Sequence, residues 1–228
     1  MANSYTKKFR YERKLIVPSS LDYYLDFLIK SHPARFKQSY KDRSINNVYF
    51  DTLNYEYYNQ NISGLPKRDK FRVRWYGELY GLISPIVEIK SKRGSVGTKS
   101  LYKVDKFSFI KSTSAYSFRN QLLNAVSLNE IKLEIMNCYP TLLNTYKRKY
   151  FESYDGKFRI TIDTDIKSHN IRLNTPFHSF FNVVNSYNIL ELKYDKEDES
   201  MANLISSNLP FRLTKYSKYV NGMQSVVL

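Results

Sequence analysis

The chain is 228 residues long, 42% apolar, with a formal charge of +15, a length for one domain or two small ones. So large a positive excess opposes compaction by self-repulsion and implies an anionic partner: nucleic acid, anionic lipid or a phosphorylated small molecule. The single cysteine, Cys138, excludes an intrachain disulfide framework, and no run of about 18 apolar residues predicts a transmembrane helix. Met1 to Lys14 is polar and basic without an apolar signal-peptide core, which predicts a soluble, cytoplasmic protein. Three histidines and one cysteine, far apart, argue against a structural zinc site.

Residues 9–17 alternate as a strand, and 19–31 read as a helix with Ser19 or Ser20 as cap and Leu21, Leu25 and Leu28 on one stripe. A strand is expected over 44–51, a short helix over 54–61 and a turn at 63–66, then strands over 68–77 and 85–92 around a loop holding Gly77 and Gly81. Another strand is expected over 99–109 and a helix over 115–126, with Phe118 and Leu122 on one side; 127–140 has no clear pattern. Strands over 143–153 and 157–166 flank a Tyr154-Asp155-Gly156 hairpin turn. A strand over 186–195 and helices over 197–208 and 215–226, the last capped by Thr214, complete the chain. Glycine and proline are scarce, seven each, with no repeat or linker, so residues 1–228 read as a single domain. Many strands, hairpins and a few helices predict an α+β fold built on an antiparallel sheet or barrel.

Side chains two apart on a strand share a face. Arg72 and Arg74 oppose Phe71, Val73 and Trp75; Glu88, Lys90 and Lys92 oppose Val87 and Ile89. Arg159, Thr161 and Asp163 oppose Ile160 and Ile162; Glu191 and Lys193 oppose Leu190 and Leu192; Tyr146, Arg148 and Tyr150 share another face. A single strand of this kind is an ordinary sheet with one wet side. Five together, rich in arginine, suit phosphate oxygens, whose geometry matches the planar guanidinium fork. If the face curls inward, it forms a basic tunnel that an anion or water must fill, because an uncompensated buried charge costs several kcal/mol. No GxxxxGK[ST] or GxGxxG loop is present, so side chains would have to hold the phosphate. Lys215 and Lys218, near the start of the last helix, oppose its dipole unless an anion sits there. Glu191 is the carboxylate best placed to carry a divalent cation, with a salt bridge to Lys193 as the alternative; Glu12, Glu88 and Asp163 read as salt-bridge partners or helpers.

The ordered set RYERK (10–14), YFDT (49–52), RVRWYG (72–77), VEIKSK (87–92), YKRKY (146–150), FRITID (158–163), LELKY (190–194) and KYSKY (215–219) resembles the VTC domain. That is the polyphosphate polymerase domain of the vacuolar transporter chaperone, within the CYTH-like triphosphate tunnel metalloenzymes. The resemblance implies an eight-stranded antiparallel β-barrel with a basic interior, flanked by helices, binding ATP and guiding out a polyphosphate chain. It assigns catalytic phosphate contacts to Lys14, Arg72, Arg74, Lys90, Lys103, Arg148 and Arg159, further phosphate binding to Lys215, Lys218, Tyr146 and Ser217, and the metal, Mn²⁺ or Mg²⁺, to Glu191. Lys103 carries over only with a one-residue gap near 99–106. The chain departs from hydrolytic relatives, whose first strand reads Glu-x-Glu-x-Lys; here it reads Arg10-x-Glu12-x-Lys14, with one carboxylate replaced by a cation. The SPX domain and membrane helices of the fungal complex have no counterpart, so placement at the inner face of a membrane would need a membrane-protein partner.

The expected reaction moves the γ-phosphate of ATP to the end of a polyphosphate chain grown from a phosphate or pyrophosphate primer, releasing ADP. Arginines would hold the phosphates, lysines would neutralise developing charge, and no strong general base is needed because the acceptor is already an anion. The rivals are a triphosphatase using the same tunnel and a non-catalytic polyphosphate-binding subunit. A nucleic-acid module stacking bases on Tyr and Arg is disfavoured, because basic patches alone are weak signals.

Overall fold

The computed structural model describes residues 10–94, 96–171, 176–177 and 182–226, without the side chains of Arg10, Val96 and Asn182. The departure expected at Arg10 therefore lies outside the described side chains. In chain order the elements are β1 (Arg10–Pro18), α1 (Asp22–Lys30), β2 (Lys37–Asp51), α2 (Glu56–Ile62), β3 (Lys67–Tyr76), β4 (Gly81–Ile83), β5 (Ile86–Arg93), β6 (Val96–Lys103), β7 (Phe107–Phe109), α3 (Ala115–Ala125), α4 (Asn129–Asn137), β8 (Tyr139–Glu152), β9 (Arg159–Asn170), β10 (Asn182–Val184), β11 (Tyr187–Asp195), α5 (Glu199–Ser207) and α6 (Lys218–Val226). This is the expected α+β class, with antiparallel pairing in each of β1–β11, β11–β9, β10–β9, β2–β3, β3–β5, β5–β6 and β4–β7.

Four local expectations change. The strand expected over 99–109 is two: β6 pairs with β5 and β7 pairs with β4, separated where the Asp105 N–H donates to the Ala125 carbonyl (3.1 Å). Strand β2 begins at Lys37 rather than 44, because its first eight residues are exposed and carry no apolar alternation to read. Neither Ser19 nor Ser20 caps a helix through its side chain. Thr214 is not the cap of α6 either. Its N–H donates to the Lys14 carbonyl (2.9 Å), and Leu213 bridges Leu15, so the chain runs along β1 and cannot turn helical until later. Ser217 stands before the helix instead, its hydroxyl accepting from the Val220 N–H at 3.4 Å. The unassigned stretch before β8 forms α4, anchored by buried Ile131 and Ile135.

The chain groups into two compact units, and β2, β8 and β9 each contribute a segment to both. The first unit takes residues up to Asp42, Lys147–Asp165 and Asn185–Lys215. Its strand order is β1-β11-β9-β8-β2. Alternation puts Leu15, Val17, Ile160, Ile162, Leu190 and Leu192 on one face, where Leu25 and Ile29 of α1 and Ala202 and Ile205 of α5 cover them. Each large side chain so buried contributes about 1.5–3 kcal/mol. The other face carries the polar register: Lys14 opposite Glu191, Glu12 opposite Lys193, Glu191 opposite Thr161, and Lys193 opposite Arg159.

The second unit takes Arg43–Tyr146, Ile166–Val184 and the chain from Tyr216 onward, with order β9-β8-β2-β3-β5-β6. Phe50, Phe71, Val73, Trp75 and Val87 are buried beneath Phe118 and Leu122 of α3 and Ile131 and Ile135 of α4. Trp75 meets Phe109 of β7 edge-on at 5.5 Å. A smaller cluster of Tyr49, Tyr58, Leu142, Tyr219 and Met223 seats α6. There the α6 backbone approaches closely: a Cβ at Gly222 would stand 2.6 Å from a Leu142 methyl. Among the described residues no helix is long and apolar enough to cross a membrane.

Candidate functional site

In the second unit the polar face is organised by one carboxylate. Register places Glu88 of β5 opposite Arg72 of β3 and beside β6. Glu88 is 2% exposed. Its carboxylate meets Arg72 Nη2 at 2.5 Å, Lys99 Nζ at 3.3 Å, Lys90 Nζ at 3.8 Å and Arg74 Nη1 at 3.9 Å. Burial alone would raise its pKa, but Arg72, Arg74, Lys90 and Lys99 together outweigh burial and hold it at about 2. Four cations thus share one negative charge, and Lys90 and Lys99 remain about half exposed.

Hydrogen bonds fix the two arginines. Arg72 Nη1 donates to the Tyr49 hydroxyl (3.3 Å); Arg74 Nε donates to Asn47 Oδ1 (2.8 Å) and Nη2 to the Tyr146 hydroxyl (3.0 Å). Arg72 Nε is buried without a hydrogen-bond partner among the described residues, an orphan donor beside a cation cluster. The segment leading into α6 reaches the same face. Lys218 Nζ lies 4.7 Å from the centre of the Tyr146 ring, and Lys70 Nζ donates to Ser217 Oγ at 3.0 Å. Helix α6 is anchored by Tyr219, which stacks on Tyr49 at 5.0 Å and donates its hydroxyl to Asp51. Asp51 is fully buried and also accepts from the backbone N–H groups of Thr52 (2.8 Å), Tyr57 (2.9 Å) and Tyr58 (2.8 Å). Burial pushes the Asp51 carboxyl up against the opposing pull of those bonds.

In the first unit the central carboxylate is Glu191, 7% exposed. Lys193 Nζ lies 2.9 Å away, and Lys14, opposite in register, bonds Glu12 at 3.0 Å. Burial works to raise the Glu191 carboxyl, yet Lys193, Lys14 and Arg148 hold it well below the usual range, aided by a side-chain contact with Glu12. Arg148 forms a two-point pair with Asp163, Nε to Oδ1 at 2.5 Å and Nη2 to Oδ2 at 2.7 Å. The Thr161 hydroxyl, facing Glu191 across the ladder, is buried and lacks a partner among the described residues. Arg159 stands toward the strand end, paired with Glu152 at 3.0 Å and half exposed. Lys215 is exposed beside the segment that runs along β1.

The structure therefore brings Arg72, Arg74, Lys90, Tyr146, Ser217 and Lys218 onto polar surfaces of the second unit, and Lys14, Arg148, Arg159, Glu191 and Lys215 onto those of the first. Lys103 is in register with Ile86 and exposed; the β6 cation that touches Glu88 is Lys99, four residues earlier on the same face. Sequence reasoning misses Lys99, although its alternation with Lys103 is visible. It also misses Tyr49, Asn47, Asp51 and Tyr219, whose roles depend on register and helix seating.

No group of three His, Cys, Asp or Glu side chains able to hold a metal exists among the described residues. Glu191 with Glu12 nonetheless fits a divalent cation delivered by a phosphate chain, since Mg²⁺ is commonly held by one or two carboxylates plus phosphate oxygens and water.

The family model of the VTC domain matches residues 9–227. No curated protein matches. Among solved structures, a putative adenylate cyclase of Vibrio parahaemolyticus is similar at 13% identity and a TM-score of 0.54, over 96% of this chain and 99% of that one. A putative adenylyl cyclase of Hippeastrum with a dominant triphosphatase activity is similar at 14% identity and a TM-score of 0.50, covering 96% and 98%. A protein of Pyrococcus horikoshii OT3 is similar at 9% identity and a TM-score of 0.51, covering 94% and 99%. These likenesses are of fold; the family match over nearly the whole chain goes further, and the protein belongs to the VTC domain family.

Proposed function

We propose that this chain is a single VTC-type domain that transfers the γ-phosphate of ATP to a growing inorganic polyphosphate chain, releasing ADP. The observation that carries this reading is the set of four cations around Glu88, with a buried, unpartnered Arg72 N–H. Such a surface is built for a ligand with several negative charges. Arg72 and Arg74, held by Tyr49, Asn47 and Tyr146, would bind phosphate oxygens with little reorganisation. Lys90 and Lys99, half exposed, would neutralise charge that builds on the transferring group. In the first unit, Lys14, Arg148, Arg159 and Lys215 supply further cations.

The carboxylates of the polar faces are engaged by cations, Glu88 by Arg72 and Asp163 by Arg148. Transfer to a phosphate acceptor asks no general base of them. A terminal phosphate needs no such base, because it is already an anionic nucleophile. Glu191, with Glu12 beside it, would hold a divalent cation, which would supply positive charge to offset that of the phosphates.

The test is incubation with ATP and Mn²⁺, with and without a pyrophosphate primer, products resolved on a gel. A ladder of long chains that disappears in Glu191→Ala is expected. Free phosphate without a ladder would instead identify a triphosphatase, and bound polyphosphate without turnover a binding subunit. Removing one phosphate contact, as in Arg72→Ala, is expected to cost on the order of 3 kcal/mol in the transition state, about a hundredfold in rate.

A further inference from the structure

The polar face of β1 changes character along its length. Glu12 and Lys14 are charged, whereas Ile16 and Pro18, next on the same face, are apolar. Residues 212–215 run beside this end, held by the Leu15–Leu213 bridge and the bond from the Thr214 N–H to the Lys14 carbonyl. Together Ile16, Pro18, Arg212, Leu213, Thr214 and Lys215 line a hollow of about 640 Å³. Leu213 is 49% exposed there, and Arg212, Lys215 and Pro18 are exposed as well.

A phosphate chain has no use for apolar walls. The occupant that matches this face is planar and apolar at one end and polyanionic at the other. We propose that the hollow binds the nucleoside end of a nucleoside triphosphate. The base lies against Ile16, Pro18 and Leu213 with the Arg212 guanidinium on its face, and the phosphates run toward Lys14. The spacing suits this: strands rise about 3.3 Å per residue, so Lys14 stands roughly 7 Å from Ile16 along β1, one step from base to phosphate. Arginine planes stack on bases. This rests on the proposed use of ATP and adds what recognises its nucleoside.

The test is calorimetric titration of ATP and, separately, of tripolyphosphate into the full chain and into Arg212→Lys and Ile16→Ser. Arg212→Lys keeps the charge and removes the planar face. Both variants are expected to bind ATP on the order of fivefold more weakly while binding tripolyphosphate within twofold of the parent. Equal weakening of both ligands would make Arg212 one more phosphate contact and overturn the nucleoside assignment; so would no change in either. A parent that binds neither ligand removes the triphosphate site and the nucleoside end with it. A parent that binds both but grows no chains overturns the polymerase reading alone.

Discussion

Glu88 and Glu191 are both buried carboxylates among cations, yet they are held differently. Glu88 meets two arginines that tyrosines and an asparagine fix in place, one of them with a donor left over. Glu191 is paired with Lys193, while Lys14, opposite it in register, bonds Glu12, and Arg148 acts on it through its charge; the two lysines are point charges on flexible stems, a quarter to a third exposed. An arginine fork cannot retreat when its carboxylate is lost, whereas a lysine can turn its ammonium to water. On the proposed reading, the first arrangement is the anchor of a rigid anion receptor and the second a carboxylate whose partners yield to a divalent cation, the two differing because their partners differ in stiffness.

The largest expected effect tests the anchor. Glu88→Gln leaves buried Arg72 without its countercharge and is expected to destabilise the protein by about 3–5 kcal/mol. Glu191→Gln is expected to cost less than half as much, measured by urea unfolding of both variants. Equal losses would erase the distinction. Acid should reveal the same anchor. With Glu88 at about 2 in the fold against an ordinary 4.5, its contribution is fully present above pH 4.5 and is lost as pH falls through about 2. The loss amounts to about 3 kcal/mol and is absent from the unfolding profile of Glu88→Gln.

A third change reaches the arginine from behind. Tyr219→Phe keeps the ring on Tyr49 but leaves Asp51 one donor short, with an expected cost of about 1.5–3 kcal/mol. It should also weaken tripolyphosphate binding through Tyr49 and Arg72. A stability loss with unchanged binding would confine Tyr219 to seating α6. The smallest effect falls on the yielding partner. Lys193→Met is expected to change stability by less than about 1 kcal/mol, since the lysine is one-third exposed. It should strengthen Mn²⁺-induced stabilisation, read as a larger rise in melting temperature, by removing the cation that competes at Glu191.

Much of this arrangement is legible in the order of the residues. The two-residue period separates Arg72 and Arg74 from Phe71, Val73 and Trp75, and Glu191 from Leu190 and Leu192; the apolar members are buried as that division predicts, but Arg74 and Glu191 on the polar face are buried too. The break between β6 and β7 is hidden because residues 99–109 keep strand-like composition throughout. Only the bond from Asp105 to Ala125, distant in sequence, takes the chain out of one sheet and into another. The cap of α6 is misread for a similar reason: Thr214 is a good cap by type, but its backbone is held alongside β1, and the helix begins only at Lys218. Lys103 comes from the family resemblance, across a one-residue gap near 99–106; strand register instead brings Lys99, on the same face, to Glu88.

By itself, the sequence determined which faces are basic and which are apolar, since alternation is a property of the strand. It also determined the excess of cations that calls for an anionic ligand. Tertiary structure decided which carboxylate each cation meets, because that depends on strand register: β3, β5 and β6 are near one another in the chain, yet only their register brings Arg72 and Lys99 to Glu88. It also decided that Arg72 keeps an unpartnered N–H while Arg148 spends its fork on Asp163, and that an apolar hollow opens where residues 212–215 return to β1. Arg148 and Asp163 are 15 residues apart, whereas Thr214 and Lys14 lie near opposite ends of the chain; in neither case does a local pattern state which groups will meet.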